Sequence, residues 1–246
     1  TYLWFDGKPA ENGGPNPFAD RRVRQAISLA IDRRELVRAL HGRGAPAAQL
    51  VPREIFGHVA SLPPLRFDPE EARRLLASAG YERGFSSTLA YSRGTTSEIT
   101  VRLVAGMLGR LGIQLTIREP EWGEMVSSWR SGRLPFFLAG WRFENGDATS
   151  FLRDCLFTKS PKRGSGSYNP GFSSPELDRL VEENERVFHA DERLRHYEKL
   201  MQLVLHEMPV VPLYHRVNLF GVAERVRWEP RLDGKILAAE VRLMRR

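Results

Sequence analysis

Between Ser87 and Trp141 the apolar pattern alternates between two periods, and few folds accommodate that. Ser87–Tyr91, Ile113–Ile117 and Leu134–Trp141 read as strands. Ser97–Leu111, with Ile99, Leu103, Met107 and Leu111 along one face, and Glu121–Ser131 read as helices. Strands that alternate with helices predict right-handed crossovers and a parallel sheet covered on both faces, an α/β architecture. The third strand runs directly into Gly140-Trp141-Arg142-Phe143-Glu144-Asn145-Gly146-Asp147. Open α/β sheets bind ligands outside the carboxyl ends of their strands, which is where this loop falls. From its residues alone it is either a solvated hairpin tip or a binding loop.

The flanking segments extend the pattern. Val23, Ala26, Ile27, Ala30 and Ile31 mark one buried helix face, and Asp32 with Glu35 caps a second helix that Gly42 closes. Residues 43–67 hold four prolines and two glycines without a period, which predicts a long surface loop. Asp68-Pro69-Glu70-Glu71 starts a helix that ends at Gly80: an N-cap, proline at the first position, and acids on the positive end of the dipole. Further on, Phe151–Phe157 reads as a short helix, Thr158–Phe172 as a loop, and Ser174-Pro175-Glu176 as the cap of a helix reaching about His189. Asp191-Glu192 opens another that stops near Met208-Pro209. Tyr2–Phe5, Val210–Tyr214, Val217–Val222 and Leu237–Leu243 read as strands.

Composition excludes several functions. The net charge of +7 is carried mostly by arginine, since Lys8, Lys159, Lys162, Lys199 and Lys235 are the only lysines. These arginines are interspersed with acids, as in Asp32-Arg33-Arg34-Glu35, whereas a nucleic-acid face needs a stripe of one sign. Six histidines lie without metal-ligand spacing, so no metal site is expected. The single cysteine, Cys155, allows no internal disulfide. No nucleophile elbow, phosphate loop or dinucleotide loop is present, and two acids in one exposed turn would have similar pKa values, so no enzyme is expected. Tyr2–Phe5 follows Thr1 without the basic and apolar regions of a leader, so the expectation is a processed chain or one that starts partway through a longer protein.

Five segments, in one order, resemble the family 5 extracellular solute-binding proteins, the peptide- and nickel-type receptors of ABC importers. They are Asn16–Arg33 (NPFADRRVRQAISLAIDR), Asp68–Tyr81 (DPEEARRLLASAGY), Gly140-Trp141 with Phe151-Leu152, Tyr168–Asp178 (YNPGFSSPELD) and Pro209–Tyr214 (PVVPLY). The resemblance implies a periplasmic-binding-protein-like lobe with a mixed, largely parallel sheet flanked by helices. It also implies that residues 1–246 are the second, C-terminal lobe of a two-lobed receptor, with segments near both ends returning toward a first lobe. Tyr2–Phe5 and Leu237–Leu243 would then lack partners from that first lobe and be left as edges.

In peptide-binding members an acid after the tryptophan pairs with the ligand's amino terminus. That position is Glu144 here, beside Trp141, although the family usually shows aspartate. Arg142 would pair with Glu144 or with a ligand carboxylate. Asn145 and Asp147 complete the expected binding loop, and Tyr91, Tyr214 and His215 are expected on the pocket wall. The implied partners are a small peptide or related solute, the permease subunits of the importer and the first lobe. No cofactor and no nucleic acid are implied, and the location is periplasmic or at the cell surface. The alternative class is the ligand-sensing domain of a bacterial transcription regulator.

Overall fold

The computed structural model describes residues 1–8, 14–93, 98–131 and 133–244. Nine strands are described: β1 (Tyr2–Phe5), β2 (Gly44–Pro46), β3 (Ser86–Tyr91), β4 (Gln114–Arg118), β5 (Phe136–Ala139), β6 (Val210–Pro212), β7 (Tyr214–Arg216), β8 (Val226–Arg227) and β9 (Arg242–Leu243). The helices are α1 (Arg21–Ala30), α2 (Arg33–Ala39), α3 (Pro69–Ser78), α4 (Glu98–Gly109), α5 (Trp122–Ser131), α6 (Thr149–Phe151, continued by a π turn, Leu152–Leu156), α7 (Pro175–Glu185) and α8 (Ala190–Glu207). Ser97, the expected start of α4, lies outside the described residues.

The caps predicted at Asp32, Asp68 and Ser174 form, and Asp20 supplies a further one. Asp20 accepts a hydrogen bond from the Arg22 amide, Asp32 from Arg34 and Glu35, Asp68 from Glu71, and Ser174 from Leu177. Each satisfies a helix N–H that has no partner inside its own helix.

Five strands make one sheet in the order β4-β3-β5-β1-β6. β3 lies parallel to β4 and to β5, as the alternation requires, but β1 runs antiparallel to both β5 and β6. The sheet is therefore mixed. Side chains alternate across it: Tyr2, Trp4, Ala90, Phe137 and Val210 enter one core, and Leu3, Phe5, Leu89, Tyr91, Phe136 and Val211 the other. Helices α1 to α4 cover the second core; α5, the 149–156 helix, α7 and α8 cover the first.

The arginines of the Asn16–Arg33 segment explain part of the basic balance. Arg24 is buried and donates to the carbonyls of Phe18 and Met208, and buried Arg33 donates to those of Ser28 and Pro212. They fasten α1 and α2 to the chain around β6. Burial lowers the Arg33 guanidinium pKa to about 10, which still leaves it charged at neutral pH.

Four expectations change. β1 does not lack partners: it is an interior strand, paired Tyr2 to Ala139 on one side and Tyr2 to Pro212 on the other, and wholly buried. Residues 43–67 are not a surface loop; Ala47, Leu50, Val51, Ile55 and Val59 are buried, and the buried Gln49 side chain exchanges two hydrogen bonds with the Val59 backbone. Val217–Val222 forms no strand; the pairing segment is β7, against β2. Of Leu237–Leu243 only the last two residues form a strand, in a two-residue ribbon with β8, and Ala238–Glu240 is a 3-10 turn. Among the described residues no helix is long and apolar enough to cross a membrane.

Candidate functional site

The loop after β5 is built by local turn chemistry and then anchored. Gly146 donates to the Phe143 carbonyl, the Asn145 side chain accepts from the Asp147 amide, and Gly146 takes the positive φ of 70° that this tight turn requires. The segment around Phe56 then pairs with it: the Phe56 amide donates to the Gly146 carbonyl and the Ala148 amide to the Phe56 carbonyl, each at 2.9 Å. Gly57 permits this approach. Its φ is 102°, and a Cβ there would fall 2.7 Å from that of Ala148.

Asp147 is the centre of the anchor. Its carboxylate accepts from the Tyr197 hydroxyl (2.6 Å) and from the Thr149 amide and hydroxyl (2.8 and 2.7 Å), and it pairs with Arg193 at 2.8 Å. The Arg193 guanidinium also stacks over Phe56 and Tyr197. Burial alone would raise the Asp147 pKa, but the donors from Tyr197 and Thr149 and the Arg193 charge outweigh it, so the carboxyl titrates below its usual range. Burial, followed by the Asp147 hydrogen bond, pushes the Tyr197 phenol up to about 12.

Beside this anchor lies a cleft of about 570 Å³, lined by Trp122, Trp129, Gly140, Trp141, Arg142, Glu144, Asn145, Ser150, Asp154 and Tyr168. Trp141 is half-buried, edge-on to Phe151 and to Tyr168 with centroids 5.7 Å away in each case. Glu144 is exposed and makes no hydrogen bond or ion pair with a described residue, and neither does Arg142. Arg142 also borders a second cleft of about 390 Å³ that contains Arg43 and Arg216.

Four predicted residues, Trp141, Arg142, Glu144 and Asn145, thus line one cleft, while the other four do not. Asp147 is turned into the anchor. Tyr91 is buried in the core on the opposite face of the sheet, where burial and then a hydrogen bond to Glu119 raise its phenol pKa. Tyr214 is in that same core, its hydroxyl 3.2 Å from the Thr100 hydroxyl. His215 belongs to the β2–β7 ribbon, and burial holds its imidazole down to about 3, hence neutral.

Sequence reasoning missed Trp122, Trp129, Ser150, Asp154 and Tyr168. Two signals were available. Trp122 and Trp129 are two turns apart on α5, and Ser150 and Asp154 are four residues apart on the helix that follows the loop, so each pair shares a face.

An aromatic, acid-bearing cleft thus opens at the carboxyl end of a sheet strand in an α/β lobe, the usual place for a ligand in such a sheet. The chain belongs to the bacterial extracellular solute-binding proteins of family 5, whose middle-region model matches residues 1–162. It is 35% identical over 198 residues to di/tripeptide-binding protein 4 of Pseudomonas aeruginosa, a match covering 77% of this chain and 36% of that protein. It is 27% identical over 237 residues to haem-binding protein A of Haemophilus influenzae, covering 92% of this chain and 41% of that one. The chain thus spans less than half the length of these curated relatives. Among solved structures, a dipeptide-binding protein from a Pseudoalteromonas species in complex with Met-Leu has a TM-score of 0.83 at 23% identity, over 98% of this chain and 48% of its own. HbpA2 of Haemophilus parasuis has a TM-score of 0.82 at 22% identity, covering 98% and 47%. At these identities the structural likeness concerns the fold, a periplasmic-binding-protein lobe.

Proposed function

We propose that residues 1–246 form the second lobe of the substrate-binding component of an ABC importer, which captures short peptides outside the cytoplasmic membrane and delivers them to permease subunits. It binds and does not catalyse. The observation that carries the reading is the Glu144 carboxylate, without a partner among the described residues at the edge of an aromatic cleft, while its loop is anchored from below through Asp147. A peptide amino terminus leaving water needs such a fixed anion, and a charge-assisted hydrogen bond is roughly twice as strong as a neutral one. Trp141 offers apolar contact and a π face to the same cation. Relatives named as di/tripeptide-binding proteins support the same ligand class.

A first lobe is part of this reading. Large apolar side chains gather on the surface of the last segment, with Leu219, Leu232, Ile236 and Leu243 each more than 60% exposed. Exposed apolar surface of this kind marks an interaction face, and the first lobe, closing over the cleft, would cover it. The test uses the complete polypeptide that carries this chain. In titration calorimetry, free tripeptides should bind more tightly than their N-acetylated forms by about 2–5 kcal/mol, much of it the cost of stranding Glu144. Equal affinities would remove Glu144 from this role.

A further inference from the structure

The same cleft contains a second carboxylate that the amino terminus does not need. Asp154 sits on the π turn that continues α6, where the Phe157 amide reaches back to the Leu152 carbonyl at 2.8 Å. Such turns insert one residue into a helix, re-aim the side chains around it, and occur frequently at functional sites. The Asp154 side chain is half-buried and makes no hydrogen bond or ion pair with a described residue. Its neighbour Arg153 is committed elsewhere: it pairs with Glu185 at 2.9 Å and lies over the Phe157 ring. Burial raises the Asp154 carboxyl above the ordinary range, and the Arg153 charge only partly opposes that.

A half-buried anion without a partner is unfavourable in the empty lobe, so its surroundings indicate what would relieve it. Those surroundings are Trp122, Trp129, Trp141 and Tyr168, whose rings attract cations through their faces. Arg130 already lies over Tyr168 at 4.8 Å and Trp129 is packed against Trp4 and Phe137, which leaves the indoles of Trp122 and Trp141. Trp129 is only 2% exposed, yet it lines the cleft and its indole N–H has no acceptor; the Trp141 N–H likewise has none. An incoming group that brings a cation next to carbonyl oxygens would answer both deficits.

Resting on the peptide reading, we propose that Asp154 is a second cation seat, more enclosed than Glu144, and that the cleft selects peptides whose first residue is lysine or arginine. Glu144 takes the amino terminus, the aromatic walls take the aliphatic stem, and Asp154 takes the ammonium or guanidinium head. Arg142, on the border with the arginine-lined cleft, disfavours a basic group on that side and so gives the ligand a direction.

The experiment is titration calorimetry of the complete polypeptide with Lys-Ala, norleucine-Ala, Ala-Ala and Glu-Ala. Lys-Ala should bind about tenfold more tightly than norleucine-Ala, the scale of a partly desolvated cation–π contact with a facing carboxylate. Glu-Ala should be the weakest. In Asp154→Asn the ratio of Lys-Ala to norleucine-Ala affinity should fall to about one, and Asp154→Glu, which keeps the charge, should retain the preference. Equal binding of Lys-Ala and norleucine-Ala by the wild type, or a preference that survives in Asp154→Asn, would overturn the second seat while leaving the peptide reading standing. If none of the four dipeptides binds, the peptide reading fails, and the second seat fails with it.

Discussion

The anchor around Asp147 and the cleft around Asp154 are seven residues apart along the chain and use the same materials, carboxylates and aromatic rings beside arginine. They differ in bookkeeping. Both carboxylate oxygens of Asp147 have partners, drawn from Tyr197, Thr149 and Arg193. Glu144 and Asp154 have no side-chain partner among the described residues, although both line an aromatic wall. A satisfied polar network fixes backbone, whereas an unsatisfied one is a site waiting for chemistry from outside. The first makes the second usable, since a loop anchored at Asp147 presents Glu144 without having to be ordered by ligand.

If that contrast is right, Asp147→Ala should be the most damaging change for the fold. It strands Arg193 and Tyr197 in a site only about one-fifth exposed (18% and 23% for the two charged side chains). A loss of about 2–4 kcal/mol is expected in urea denaturation at neutral pH, somewhat below the cost of breaking a fully buried pair. A loss below about 0.5 kcal/mol, the range of an ordinary surface substitution, would erase the distinction between anchor and cleft.

Tyr197→Phe should cost less, about 1–2 kcal/mol, because it removes one hydrogen bond to a charged acceptor and leaves the ring packed against Phe56. A combined Asp147→Ala, Tyr197→Phe variant should be less damaged than the sum of the two, as members of one network are not independent.

The smallest effect, and the most diagnostic, is in pH. Asp147 has a depressed carboxyl, so its contribution to stability is present above the ordinary value of 3.8 and is lost as pH falls through the lower folded-state value. Asp154 has a raised carboxyl, so it penalises the fold where it is ionised; relief is complete below 3.8 and is lost as pH rises through its higher folded-state value. The stability advantage of wild type over Asp147→Asn should therefore shrink on acidification below 3.8. That over Asp154→Asn should grow as pH falls toward 3.8 from above. Parallel curves for the two variants would show that the carboxyls occupy equivalent environments.

The parts legible in the sequence were those encoded by neighbours in the chain. The caps at Asp32, Asp68 and Ser174 act on amides two or three residues away, and the strand–helix alternation over 87–141 dictates parallel pairing of β3 with β4 and β5. What had to be found in three dimensions was pairing at long range. Nothing in Tyr2–Phe5 specifies that β5 and β6 flank it. Asp147 looked like a companion of Glu144 because its true partners, Arg193 and Tyr197, are on α8. Residues 43–67 looked solvated because they have no period, yet an irregular segment can still bury Leu50 and Ile55 if Gln49 satisfies its backbone. Val217–Val222 has strand-like residues but no neighbouring strand to pair with. Tyr91 falls on the face away from Trp141 because strand residues alternate, a one-residue matter that the end of a short strand leaves open.

The position of β1 has a consequence for how the molecule comes into being. Within this lobe the strand precedes, by a long stretch of chain, the residues it must pair with, Phe136–Ala139 and Val210–Pro212. Tyr2, Leu3, Trp4 and Phe5 are all apolar on both faces, so the waiting strand is both sticky and unpaired. Closing loops of that length precedes any gain from the contacts, which slows the search and lengthens the interval open to misassociation. Export unfolded across a membrane would postpone the same problem rather than remove it. A lobe whose central strand must wait for partners so distant in sequence depends on its handling before folding as much as on its final stability.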